Sequence, residues 1–393
     1  MKSLCLYFQV HQPFRLKDYS FFKIGIDHNY GATQQNYAIL GRVSDLCYLP
    51  ANELLHKLIV KGKAPFACTF SLSGTVIDQL EQFRPDVIES FQALAATGKV
   101  EFLAETYYHS LAFLFSRPEF ERQVALHSKR ITELFGKKPT SFRNTELIYA
   151  DELARAVQRF GFKAILAEGV GRNMSSPSAH GMVHQAADTQ AVALLRNAQL
   201  SDDIAFRFTD QTWDQWPLTA EKFAQWLHVL EEEGSETVNL FIDYETFGEH
   251  RKKESGIFQF LEELPAAVAA QTGFTFATPS QIADAAQGKV LPPYHAEDIT
   301  SWADADRDLS AWTADNMQKD ALEKLYALEP QIARAADPRI SEVWGRLQTS
   351  DHFYYMSTRF WRDPVHQVFS PYRSPYDAYI NYMNVLMDLK TLL

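Results

Sequence analysis

Five short strand-like runs in this 393-residue chain each end in a group suited to acid–base or hydrogen-bonding chemistry. Residues 4–10 lead to His11 and Gln12, and residues 66–72 to Ser73 and Gly74. Residues 100–104 lead to Glu105, with Tyr107, Tyr108 and His109 just after; residues 140–144 lead to Glu146, and residues 238–242 to Asp243 and then Glu245. In a parallel barrel the C-terminal strand ends meet at one mouth. Five such endings therefore point to one carboxylate-lined, aromatic-rimmed pocket. Phosphate-loop, dinucleotide and nucleophile-elbow patterns are absent from the sequence. Two carboxyl groups can hydrolyse a glycosidic bond. In the retaining version one attacks the anomeric carbon while the other, kept protonated, donates to the leaving oxygen. The donor needs a raised pKa, which burial or a neighbouring carboxylate supplies. Asp243 and Glu245, two residues apart at a strand end, could point the same way and couple, and Glu146 and Asp243 could face each other across a substrate.

Each residue also has a plainer use. Glu146 could pair with Arg143 or Lys138, Asp243 could cap a helix, Glu245 could partner Arg251, and His11 could satisfy a backbone carbonyl. A metal-dependent deacetylase or mannosidase with His11 and Asp243 as ligands is a rival. It requires at least three nitrogen or oxygen ligands at matched strand ends, of which only His11 is evident. No cofactor and no metal site is expected.

The elements that must position these groups alternate. Strand-like runs at 4–10, 66–72, 100–104, 140–144, 164–167, 192–195, 238–242 and 274–277 are separated by helical spacing, which reads as parallel βαβ units. The clearest helix runs from Ser116, with a capping box to Glu119 and Pro118 in the first turn, to a stop at Gly136. A second spans about 151–160 and closes at Gly161. Seven or eight such units fit an α/β barrel over residues 1–290. Leu291-Pro292-Pro293 marks a boundary, beyond which helical patterns (about 315–328, 340–348 and 376–392) dominate a C-terminal region, 291–393, that packs on the barrel and completes the site.

Composition narrows the function. Acidic residues exceed basic ones, 49 to 38, for a net charge of −11 with no basic stripe, which disfavours nucleic acid and anionic lipid as partners. Three cysteines without a CxxC pair suit a reducing compartment. The N-terminal apolar run reads as a strand rather than a secretory signal, and no stretch approaches the roughly 20 apolar residues of a membrane span. A cytoplasmic location is expected. Aromatic residues make up 13%; Tyr and Trp suit both a large core and a sugar site. Trp302 and Trp312 could stack on sugars or lie buried between barrel and helices.

Specific segments carry a resemblance. His11-Gln12-Pro13, Leu72-Ser73-Gly74-Thr75-Val76, Phe142-Arg143-Asn144-Thr145-Glu146-Leu147, Asp243-Tyr244-Glu245-Thr246-Phe247-Gly248-Glu249-His250 and Ser350-Asp351-His352-Phe353-Tyr354-Tyr355-Met356 resemble the five ordered regions of glycoside hydrolase family 57. They are most similar to its α-amylase branch, as is the tail from Phe369 to Asn384. The resemblance implies an incomplete, (β/α)7-like TIM barrel followed by a helical bundle, and a retaining mechanism on α-1,4-glucans. It implies Glu146 as nucleophile, Asp243 as acid/base, and His11, Glu245 and Asp351 lining the subsite of the attacked sugar. Tyr107, His109 and Trp302 complete the expected substrate-binding set. A 4-α-glucanotransferase using the same residues is the alternative within the family.

Overall fold

The computed structural model describes residues 2–174, 177–359, 361 and 370–393; Phe369, in the expected tail motif, lies outside them. Strand β1 (Ser3–Val10) is buried along its whole length, as a strand covered on both faces must be. Its alternation still sorts the side chains. Leu4, Leu6, Phe8 and Val10 join an outer apolar layer with the helices, whereas Cys5 and Tyr7 join an inner cluster with Leu103, Leu166, Leu194 and Phe241. The inner line of β1 continues through Gln9 to His11, so the pleat that fills the barrel also aims polar groups at its mouth.

The remaining strands are β2 (Cys68–Leu72), β3 (Val100–Phe102), β4 (Ser141–Arg143), β5 (Ala164–Glu168), β6 (His184–Ala186), β7 (Val192–Arg196), β8 (Thr237–Asp243), β9 (Thr275–Phe276) and β10 (Pro293–Tyr294). Parallel ladders run β3-β2-β1-β8 and β4-β5-β7. Ala104 joins the two: its N–H donates to the Ser141 carbonyl, and its own carbonyl accepts from the Arg143 N–H, each at 3.0 Å. On the opposite flank the Asn197 N–H donates to the Asn239 carbonyl at 2.8 Å, and the Asn239 side-chain amide donates to the Leu195 carbonyl at 2.9 Å. Among the described residues, seven parallel strands thus ring the axis, and β7 meets β8 through single bonds rather than a ladder. This is the expected incomplete barrel.

Several expectations are corrected. The run at 274–277 is not an eighth barrel stave; β9 pairs only with the start of β1, Ser3 opposite Thr275, on the edge that β2 takes over further along. Strand character also persists past residue 291, since β10 pairs with β6, and β6 runs antiparallel to β7. These two- and three-residue strands are too short to show a period. The 116–136 helix spans Arg117–Phe135, and Gly136 closes it at φ 73°. Only half of its capping box forms. Ser116 Oγ accepts from the Glu119 N–H, but the Glu119 carboxylate turns to Arg122, Gln123 and Gln348, because the buried amide of Gln348 brings a donor from the C-terminal region.

The C-terminal helices Asn316–Tyr326, Pro338–Leu347 and Pro375–Thr391 match the expected positions. Leu322, Leu325, Tyr382 and Leu386 share one apolar cluster with Phe120, Val124, Phe142 and Ile165 of the barrel. Trp312 is buried in that cluster, which settles its alternative in favour of packing. Among the described residues no helix is long and apolar enough to cross a membrane.

Candidate active site

The floor of the barrel mouth is a chain of buried polar groups. Tyr7 Oη lies 2.6 Å from both Gln9 Oε1 and Ser71 Oγ, and Gln9 Nε2 donates to Glu105 Oε1 at 3.3 Å. Glu105 Oε2 pairs with His109 Nδ1 at 2.9 Å, and His109 Nε2 faces Glu146 Oε1 at 3.3 Å. Glu146 receives two further bonds, from Trp302 Nε1–H at 2.8 Å and from the Ser350 hydroxyl at 2.9 Å. Glu146 (φ 56°) and His109 (φ 52°) both adopt left-handed backbone, which costs a non-glycine residue of the order of 1 kcal/mol or more and is kept where the surroundings over-determine it. Burial opposes charge on Glu146, but the bond from His109 and its positive charge outweigh burial and hold the carboxyl below the usual range.

Asp243 ends β8. Among the described residues its carboxyl makes no side-chain hydrogen bond. Burial, with the charge of Glu146 second, pushes it up to about 6. Two carboxyls at one mouth are thus biased to opposite protonation states. Glu245 does not continue the strand; it sits in the 3-10 turn Tyr244–Thr246. It is buried, accepts from Tyr48 Oη at 2.5 Å, and is raised to about 8 by burial and by Asp243. Arg251, its alternative partner, instead bonds the carbonyls of Ala205 and Phe206. The glycine that follows is required. Gly248 has φ 113°, and a Cβ there would lie 1.9 Å from the Leu46 carbonyl.

The third corner comes from the C-terminal region. The Ser350 N–H donates to the His109 carbonyl at 2.9 Å, and Thr349 bridges Ser110. This attachment brings Ser350 to Glu146 and Asp351 to His11, whose Nε2 lies 2.9 Å from Asp351 Oδ2 and whose Nδ1 lies 2.7 Å from Ser73 Oγ. The His11 and His109 rings stack with centroids 4.0 Å apart. Burial and the neighbouring His109 lower the His11 pKa, while Asp351, despite its burial, is held below the usual range by His11.

Residues 5–295 match the family model for glycosyl hydrolase family 57. A Methanocaldococcus jannaschii protein named "Putative alpha-amylase" is 38% identical over 394 residues, covering 98% of this chain and 83% of its own. The chain belongs to glycosyl hydrolase family 57. Its fold is shared with solved structures of much lower identity. The α-amylase AmyC from Thermotoga maritima superposes with a TM-score of 0.67 at 12% identity, covering 100% of this chain and 93% of its own. A branching enzyme of family 57 from Thermococcus kodakaraensis gives 0.67 at 14%, covering 91% and 86%. A polysaccharide deacetylase from Mycobacterium smegmatis shares the fold more distantly, at 0.52 and 17%, covering 75% and 93%.

This family 57 chain brings His11, His109, Glu146, Trp302 and Asp351 into one connected cluster, with Asp243 and Glu245 coupled to it by charge. Tyr107 is not brought into it. Its hydroxyl donates to Asp78 at 2.6 Å and its ring closes over Gly74, where a Cβ would lie 2.4 Å from the ring. Trp302 is not a free platform, because its indole edge is committed to Glu146 and its face lies 4.8 Å from the Arg143 guanidinium. Nor does Arg143 bond Glu146: it is fully buried, 4.0 Å from Glu105, and among the described residues none of its guanidinium nitrogens has a hydrogen-bond partner. Sequence reasoning assigned no role to Ser350, Tyr48 or Arg196. Ser350 lay inside a quoted motif and Arg196 directly follows the run at 192–195, but Tyr48 carried no local signal.

Proposed function

We propose that this family 57 enzyme is a retaining glycosidase that cleaves α-1,4-glucosidic bonds in starch, glycogen or maltooligosaccharides, with Glu146 as nucleophile and Asp243 as acid/base. One observation carries the assignment. Glu146 accepts hydrogen bonds from Trp302 and Ser350 and lies 3.3 Å from His109 Nε2, all of which favour its charged form, whereas among the described residues Asp243 makes no side-chain hydrogen bond and is raised by burial and by Glu146. Retaining hydrolysis needs this division.

In the first step a Glu146 oxygen bonds to the anomeric carbon. The bond to the leaving oxygen breaks, and the Asp243 proton passes to that oxygen. In the second step Asp243, now a carboxylate, takes a proton from water as the water oxygen attacks the anomeric carbon and Glu146 is released. His11, Asp351 and Glu245 would bond sugar hydroxyls at the attacked residue. Both ring nitrogens of His11 are engaged, by Ser73 and Asp351, so neither is open to a metal, and a sugar hydroxyl would have to displace one of those partners. The similarity to an amylase-named relative supports an α-glucan as substrate.

The test is Glu146→Ala with azide and an activated α-maltoside. Turnover should fall to near background, and azide should restore it with formation of the β-glycosyl azide. An α-azide overturns the assignment. Maltotriose separates the alternatives: a hydrolase yields maltose and glucose, whereas a 4-α-glucanotransferase also yields longer chains.

A further inference from the structure

His109 has a carboxylate on each ring nitrogen, Glu105 at 2.9 Å from Nδ1 and Glu146 at 3.3 Å from Nε2. A neutral imidazole carries one N–H and could donate to only one of them; an imidazolium donates to both. The carboxylates have further donors, Gln9 on Glu105 and Trp302 and Ser350 on Glu146, so both are recognised in their acceptor form. We propose that Glu105 and His109 form a positioning pair, in which Glu105 holds His109 as an imidazolium that orients the Glu146 carboxylate and keeps it charged. The inference rests on the nucleophile reading of Glu146 and assigns His109 a place behind that carboxylate rather than against the sugar.

The surroundings fit an ion axis. His127, on the helix Arg117–Phe135, is committed as a neutral ring: its Nδ1 accepts from the Glu105 backbone N–H at 3.2 Å, and its Nε2–H donates to the Leu72 carbonyl at 2.7 Å. It therefore adds no second cation beside Glu105. From β1, His11 stacks on His109 with its Nε2–H turned to Asp351 and its Nδ1 to Ser73, which suits a neutral ring against a charged one. From β4, Arg143 lies 4.0 Å from Glu105, and from β8, Asp243 couples to Glu146 by charge. Both His109 and Glu146 sit in left-handed backbone, a conformation kept where the surroundings over-determine it. Burial disfavours the imidazolium, but the bonds to Glu105 and Glu146 outweigh it, and His109 is raised to about 9.

The full chain carrying Glu105→Gln or His109→Gln tests the pair. The acid limb of kcat/KM against pH, measured on an aryl α-maltoside, should move upward by about one to three pH units, the usual effect of removing a close opposite charge. The loss should fall on kcat more than on KM, and Glu105→Asp should restore most of it. If either variant fails to fold, the wild type still decides: in protein labelled with ¹⁵N-histidine, His109 should report an imidazolium at pH 7. An unmoved acid limb in folded variants, or a neutral His109 at pH 7, overturns the pair. Failure of the nucleophile reading looks different, because the azide product from Glu146→Ala would be absent while the His109 resonances still reported an imidazolium.

Discussion

Trp302 and Glu146 are joined twice. The indole Nε1–H donates to the carboxylate at 2.8 Å, and the Trp302 backbone N–H donates to the Glu146 carbonyl at 3.1 Å. The ring is flanked by the guanidinium groups of Arg143, at 4.8 Å, and Arg196, at 5.7 Å, both from barrel strands and both buried. A segment beyond the last barrel helix therefore supplies a donor to the candidate nucleophile and an aromatic face for two buried cations.

Trp302→Phe keeps the ring and removes the donor. With a charge-assisted bond lost, kcat should fall by about ten- to a hundredfold, while KM changes little. Trp302→Ala should cost more and also lower the Tm, because both guanidinium groups lose their aromatic face. Steady-state kinetics and thermal melts of the two variants check this.

Activity needs Glu146 charged and Asp243 protonated. The first is held below the usual carboxylate range and the second is raised to about 6. The pH profile should therefore be a bell, with its alkaline limb near 6. Stability follows the sign of the Asp243 shift. Its folded pKa exceeds the ordinary 3.8, so the folded chain binds more protons than the unfolded chain from there to about pH 6. The carboxyl accordingly costs stability as pH rises through that window. Asp243→Asn should melt higher than wild type at pH 7 while losing turnover on unactivated maltooligosaccharides.

Glu245 makes the same argument over a higher range, since burial raises it from 4.5 to about 8. The native state loses stability as pH climbs between those values. The Tm advantage of Glu245→Gln over wild type should be small at pH 4 and grow to a plateau near pH 9. A constant difference across the range would contradict the burial argument.

Asp388, on the helix Pro375–Thr391, is fully buried and collects the Gly25 N–H at 2.5 Å, the Tyr30 hydroxyl at 2.5 Å and His28 Nδ1 at 2.8 Å. It ties down the excursion that follows His11. Asp388→Ala should cost about 1–3 kcal/mol in denaturant unfolding, because it leaves the buried Tyr30 hydroxyl without its acceptor and frees Gly25 and His28. It should also raise KM, as the segment leading away from His11 loosens.

Much of this was legible in one dimension. The runs ending at His11, Glu105 and Asp243 are strands because apolar and β-branched residues crowd them, whereas the run before Glu146, Thr140-Ser141-Phe142-Arg143-Asn144, is mostly polar and owes its strand to pairing with its neighbours. Their ends converge because parallel strands wound by right-handed crossovers share a direction. Gly136 and the helix N-caps are equally local, since each acts within a turn of chain. The capping box at Ser116 shows where locality stops: Glu119 had the right spacing, and a distant amide, Gln348, took its carboxylate.

The sequence by itself determined which groups could do chemistry and that they would gather at one mouth, because periodicity and strand direction are properties of neighbouring residues. Tertiary structure alone decided their states. Whether Tyr107 turned to Asp78 or to the pocket, whether Trp302 would hold Glu146, and which carboxyl kept its proton all depend on contacts between residues far apart in the chain. Burial and the distance to the next charge set a protonation state, and only the packed chain defines either.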